Sequence, residues 1–223
     1  TMADLKNYWS MGYAPNNCIM VIAGDVTEAE ALALSKKYLE PIPRREPPPP
    51  VRTKEPPQKG QRRVTLERPT QLPVVMIGFH APEARHADRP AIELANSILA
   101  QGRSSRLQQR LVEKDQLTLF INANAGPYLD PGLWQVTFQT RAGVDPLKAE
   151  AALFEEIERL VKEGPTAAEL DKAKTQFLAG FYRQMKTIAG KANFLGTFEI
   201  FQGDASKVGD YPTRINAVTA ADI

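Results

Sequence analysis

Eight of the chain's eighteen prolines fall within residues 41–57, four of them consecutive from Pro47 to Pro50. Proline has no amide hydrogen to give a helix or a sheet ladder, so polyproline II is the regular conformation open to such a stretch. Residues 41–61 are therefore read as an extended, semi-stiff linker between a short segment, 1–40, and a larger body, 62–223. Between Arg44 and Arg68 stand eight basic and three acidic side chains, a local excess of +5 in a chain whose net charge is +2. A solvated linker is the plain reading of that excess, and a basic contact patch is the sharper one.

The rest of the composition mainly excludes. A net charge of +2 gives no reason to expect nucleic acid as a partner. The single cysteine, Cys18, allows no internal disulfide and no multi-thiolate zinc cluster, and in an apolar run it reads as a small buried hydrophobe. A zinc peptidase helix needs two histidines one turn apart on one face. The only two histidines, His80 and His86, stand on either side of Pro82. His80 and Glu83, with His86 beyond, have a loose ligand spacing, but Pro82 keeps a helix from converging them. No catalytic residue and no metal ligand is expected in this chain. No apolar run approaches the roughly 18 residues that span a bilayer, and residues 1–20 lack a basic segment followed by an apolar one. No membrane contact is expected, and any export signal would lie upstream; bacterial periplasm and cytoplasm both remain open. The segments Thr1-Met2-Ala3-Asp4-Leu5 and Thr219-Ala220-Ala221-Asp222-Ile223 share a helix-start pattern. The chain thus reads as an excised piece, about one repeat unit cut in permuted phase.

Periodicity predicts helices over 3–13 and 28–39, the second capped by Thr27 and Glu30, with an apolar strand over 18–23 between them. Beyond the linker it predicts strands at 62–68 and 73–80. A helix entered through Asp88 and Pro90 follows, with Ile92, Ala95, Ile98 and Leu99 inward. A shorter helix begins near Ser104. Leu117, Leu119, Ile121 and Ala123 share one strand face. Trp134, Val136 and Phe138 oppose Gln135, Thr137 and Gln139 in the next strand, and the turn through Gly126–Gly132 makes the two a hairpin. Helices are expected over 145–163, with Leu147, Ala151, Phe154, Ile157, Leu160 and Val161 inward, over 166–186, and over 188–202. Strands paired as hairpins with helices between them indicate an α+β fold, an antiparallel or mixed sheet with helices packed on one face.

The run Tyr13-Ala14-Pro15-Asn16-Asn17-Cys18-Ile19-Met20-Val21-Ile22-Ala23-Gly24-Asp25 resembles the strand that ends the first domain of the insulinase/pitrilysin family of zinc metallopeptidases. Gly102-Arg103-Ser104-Ser105-Arg106-Leu107 is similar to a helix start in that family's second domain, and Phe198 to Asp204 to its late helix and turn. The resemblance covers nearly the whole chain. It implies that 1–40 is the terminal helix-strand-helix of a preceding zinc domain and that 62–223 is the second, non-catalytic peptidase-like domain. Zinc would sit in that upstream domain, and a homologous partner half would close the chamber around a peptide substrate. An Arg/Tyr pair that helps hold the substrate carbonyl in the family's partner half falls here on Val112 and Leu119, neither of which donates a hydrogen bond.

The resemblance makes the chain a non-catalytic domain of a zinc metalloendopeptidase, inactive alone, that contributes chamber wall and domain contacts. The alternative is a scaffold or assembly subunit from an inactive member of the family. Arg103, Ser104 and Arg106, on a loop entering a helix, are the candidate substrate-binding residues, because guanidiniums and helix-start amides can hold a carboxylate or peptide backbone. The plainer reading makes Ser104 an N-cap and leaves the arginines in solvent. Tyr182 and Arg183 are adjacent on a helix and diverge, so core plus surface describes them. The polar strand face could line a peptide chamber. Residues 3–26 are expected to fill a vacated sheet edge in 62–223, within one molecule or as a strand-swapped homodimer.

Overall fold

The computed structural model describes residues 1–53 and 55–223, which divide into two compact units, Thr1–Pro69 and Thr70–Ile223. In the first unit, helix α1 (Met2–Gly12) starts in a reciprocal cap between Thr1 and Asp4, and helix α2 (Glu28–Leu39) in another between Thr27 and Glu30. Asn16 ties the turn after α1 to the start of the linker. Its amide donates to the Arg45 carbonyl at 2.9 Å, and its side-chain oxygen accepts from the Arg45 amide at 3.0 Å. The Arg45 guanidinium stacks over Trp9, 4.8 Å from the ring centre.

The strand expected over 18–23 does not form. Cys18 has extended backbone, φ −132° and ψ 137°, but a strand needs a neighbour to take its amides and carbonyls. Cys18 is exposed rather than buried, as are Ile19, Met20 and Ile22. The strand expected over 62–68 is likewise absent, with Val64 and Leu66 in solvent. Residues 18–24, expected to fill a sheet edge, thus carry no strand. Among the described residues of this unit only Ala14 is buried, so its helices carry apolar side chains that find no core within it.

The second unit holds a three-stranded antiparallel sheet in the order β1-β3-β2: β1 (Val74–Ala81), β2 (Thr118–Ala125) and β3 (Gly132–Thr140). Val136 lies opposite Ile77 on one side and Ala123 on the other. The expected hairpin is present, with Val136 and Phe138 fully buried and Gln135, Thr137 and Gln139 on the other face. One expected inward residue is turned out. The pairing shifts between Thr118 and Phe120, so Leu119 is exposed while Leu117 and Ile121 stay buried.

Helices α3 (Arg89–Ala100), α4 (Pro146–Glu163) and α5 (Ala167–Met185) cover the buried side of the sheet in an α+β arrangement. Their inward faces differ in phase from the pattern of large apolar residues. In α3 the centre is Leu94, with Ile92 and Ala95 only half-buried. In α4 the buried residues are Ala149, Glu150, Ala152, Leu153, Glu156 and Leu160, whereas Leu147, Ala151 and Val161 face water. Ala149 and Ala152 lie inward because small side chains allow close approach to the sheet, and Glu156 because an arginine reaches its carboxylate. Helix α6 (Ile188–Gln202) ends at left-handed Gly203, φ 69°. Helix α7 (Tyr211–Ala217) then packs Tyr211 with Phe181, Phe198 and Val208 in a second apolar cluster. The chain closes in a turn capped by Thr219 and Asp222, the same reciprocal cap that opens α1.

Candidate functional site

The loop 102–106 connects α3 to a π-helical segment, Gln108–Lys114, and turns at Gly102, whose φ of 79° suits a residue without Cβ. Ser105 rather than Ser104 closes it: its hydroxyl donates to the Gly102 carbonyl at 2.8 Å, and its own carbonyl accepts from the Gln109 amide at 2.9 Å. Ser104 does not cap the helix; its hydroxyl meets the Lys172 ammonium.

The three candidate residues part company here. Arg106 is nearly buried and grips Glu169 at the start of α5, with Nε to Oε1 and Nη2 to Oε2 both at 2.7 Å. Nη2 also donates to the Gly164 carbonyl at 3.0 Å. Glu169 in turn accepts from the amide and hydroxyl of Thr166, capping α5. The Arg106 guanidinium, with those Thr166 donors, holds the Glu169 carboxyl down at about 2. Ser104 stays exposed beside Lys172. Arg103 is exposed, and among the described residues its guanidinium has no ion-pair partner.

The sheet's outer face is polar across two strands. Thr137 stands opposite Asn122, and Gln135 opposite Asn124, with the Gln135 amide donating to the Thr137 hydroxyl at 3.3 Å. Asn124, Gln135, Tyr128, Gly132 and Leu133 line a shallow depression of about 260 Å³ at one end of this face. The periodicity of β3 pointed to this surface; the asparagines of β2 that complete it were not singled out. Val112 is half-buried and Leu119 exposed, and Tyr182 is exposed beside the buried Phe181.

Among the described residues no group of three His, Cys, Asp or Glu side chains could hold a metal ion. His80 lies exposed on β1, and His86 Nδ1 accepts from the Asp88 amide at 3.2 Å.

Two charge networks, one buried and one half-exposed, lie outside the sequence expectations. Arg89 donates through Nε to Glu93 at 3.2 Å and through Nη2 to the Ala125 carbonyl, while the Tyr211 hydroxyl donates to the other Glu93 oxygen. Burial raises the Glu93 carboxyl above its ordinary range, and burial together with the Glu93 charge raises the Tyr211 phenol. The second network centres on Arg110, which meets Asp115, Glu155 at 2.9 Å and the buried Glu156 at 3.3 Å. The spacing Arg89-x-x-x-Glu93 was a local signal for the first network. Tyr211, 118 residues away, had none.

The family model described as the peptidase M16 inactive domain matches residues 1–177. A relative called zinc protease PqqE, from Helicobacter pylori, is 30% identical over 230 residues, covering all of this chain and 51% of the relative. A crystal structure of a protease from Helicobacter pylori superimposes with a TM-score of 0.92 at 26% identity, over all of this chain and 54% of that one. The peptidase M16 inactive domain from Pseudomonas fluorescens, 24% identical, gives 0.85 over all of this chain and 53% of that one. The chain spans about half the length of the curated relatives it matches in full.

Proposed function

The chain belongs to the peptidase M16 inactive-domain family, and from that membership we propose that it is the non-catalytic domain of a zinc metalloendopeptidase that hydrolyses peptides in an enclosed chamber. Its part is to supply chamber wall and domain-domain contacts. Residues 1–40 are the terminal helix-strand-helix of the preceding zinc domain, 41–61 the Pro-rich linker, and 62–223 the second domain. Zinc belongs to the preceding domain, a reading supported by relatives named zinc proteases and by the match of this chain to the inactive-domain family.

The observation that carries the reading is the surface of residues 1–40. Two well-capped helices and a Cys18–Ala23 run without secondary structure leave Trp9, Ile19, Met20 and Ile22 each about half exposed. A neighbouring sheet that took Cys18–Ala23 as a strand would pair its amides and cover these side chains. In the second unit the polar face of Gln135, Thr137, Asn122 and Asn124 offers amides and a hydroxyl to peptide backbone and is the wall. Arg103, with Ser104, is the loop's contact to a peptide carboxylate or carbonyl, and Arg106 positions that loop through Glu169.

The test compares the 223-residue chain with its parent, meaning this chain together with the residues encoded upstream of it. The chain alone should hold no stoichiometric zinc and leave a quenched peptide intact. The parent should hydrolyse that peptide and lose activity to a chelator. Zinc and activity in the chain alone would overturn the reading. A parent inert with zinc added would make the protein a scaffold instead.

A further inference from the structure

Phe177 of α5, Phe194, Phe198 and Phe201 of α6 and Tyr211 of α7 wall a cavity of about 180 Å³ that is open to solvent. Arg89 and Glu93 of α3 line the same cavity. Arg89 is 3% exposed, yet its five N–H donors are not all used. Nε is taken by Glu93 and Nη2 by the Ala125 carbonyl, whereas Nη1 is buried with no hydrogen-bond partner. An unmet guanidinium donor out of water is costly, and a seated acceptor relieves it.

The local charge sets the sign of that acceptor. Arg214 lies over the Tyr211 ring, 5.9 Å from its centre, and Arg85 donates to the carbonyl of the lining residue Phe201 at 3.0 Å. Arg89 itself lines the cavity, while Arg214 and Arg85 stand one residue behind the lining, at Tyr211 and Phe201. Against them stands Glu93, already engaged by Arg89 and Tyr211. The aromatic wall demands an apolar body. A cavity this size, below the roughly 300 Å³ of a drug-sized site, takes only a fragment.

We propose that this cavity binds a carboxylate carried on a short aromatic or similarly apolar body, the carboxylate meeting Arg89 and the body stacking among the phenylalanines. Two sources present that chemistry, a free aryl-alkanoic acid and the chain end of a peptide terminating in phenylalanine. The site stands apart from the Arg103 loop and does not depend on the role proposed for it.

Isothermal titration of the 223-residue chain with 3-phenylpropionate and its amide, 3-phenylpropanamide, tests the proposal. The acid should bind at least ~10-fold more tightly than the amide, because only the acid makes the charge-assisted pair. Arg89→Lys should remove that preference, and Thr197→Phe, which fills the cavity from α6 and leaves the Arg89 side chain in place, should abolish binding. Thr197→Phe also serves if Arg89→Lys fails to fold. Gly-Ala-Phe with a free terminus, against its amidated form, then separates a chain end from a small acid. No binding at millimolar acid, equal binding of acid and amide, or binding unchanged in folded Thr197→Phe would overturn the proposal.

Discussion

Arg106 and Glu169 form a two-pronged ion pair, both N–O distances 2.7 Å, that fastens the loop after α3 to the first turn of α5. Each partner also makes a second contact, since Arg106 satisfies the Gly164 carbonyl and Glu169 caps the helix through Thr166. Side-chain exposure is 8% for the arginine and 30% for the glutamate, so removing either strands a desolvated charge. Arg106→Ala should destabilise the second unit by about 2–4 kcal/mol in urea unfolding. Arg103→Ala, in open solvent three residues away, should stay within about 0.5 kcal/mol.

The same pair makes stability depend on acid. The folded Glu169 carboxyl, held at about 2, lies below its unfolded value, so its contribution is present above the unfolded value of 4.5 and is lost as pH falls toward 2. Glu169 keeps 30% of its side-chain surface in water, which screens the pair, so the contribution should be of order 1–2 kcal/mol. Glu93 acts in the opposite sense. Its burial-raised carboxyl favours the fold below its unfolded value, and that contribution fades as pH rises through the folded one. Urea midpoints measured from pH 6 down to pH 2 should fall more gently in Glu169→Gln than in the parent sequence. A parallel fall in both would remove Glu169 as the cause.

What the sequence made legible were features whose information is local: the capping residues Thr27 and Glu30, the turn through Gly126–Gly132, and the alternation around Val136. Helix phase was harder, since the inward face of α4 is set by the sheet it meets. There Ala149 and Ala152 fit closely, and Arg110, from another element, neutralises the inward Glu156. Leu147 and Val161, large and apolar, misplace that stripe when hydrophobicity alone is counted. The Arg103–Arg106 loop was found by its sequence, but the reason Arg106 is withdrawn from it lies at Glu169, 63 residues on.

The corrected phase of α4 carries its own prediction. Leu153 is fully buried and Val161 is 76% exposed, so truncation to alanine should cost about 2–5 kcal/mol at 153 and almost nothing at 161. Equal effects in denaturant titrations would restore the stripe that includes Val161.

Tyr211→Phe isolates one hydroxyl in the second apolar cluster. The ring keeps its edge contacts with Phe198 and Phe177, centroids 5.1 and 5.6 Å away, while Glu93 loses a donor. The cost should be about 1–2 kcal/mol at neutral pH and smaller in acid, where a protonated Glu93 no longer needs that donor. Thermal melts at two pH values separate this from a packing defect, which would be indifferent to pH.

The chain's one cysteine reports on the surface proposed to meet the zinc domain. Cys18 is exposed in an extended, unpaired run between Asn17 and Ile19. In the 223-residue chain a thiol reagent should therefore modify it at the rate of a free peptide thiol. In the parent, where Cys18–Ala23 would enter a sheet as a strand, reaction should slow by at least ~100-fold, because it must wait for local opening of about 3 kcal/mol or more. Ile19→Asp with Ile22→Asp should restore fast labelling and depress zinc-dependent hydrolysis together, while leaving the urea midpoint of the 223-residue chain unchanged, since neither side chain contributes to a core there. Slow labelling of the isolated chain that speeds on dilution would instead show Cys18–Ala23 paired with a second copy.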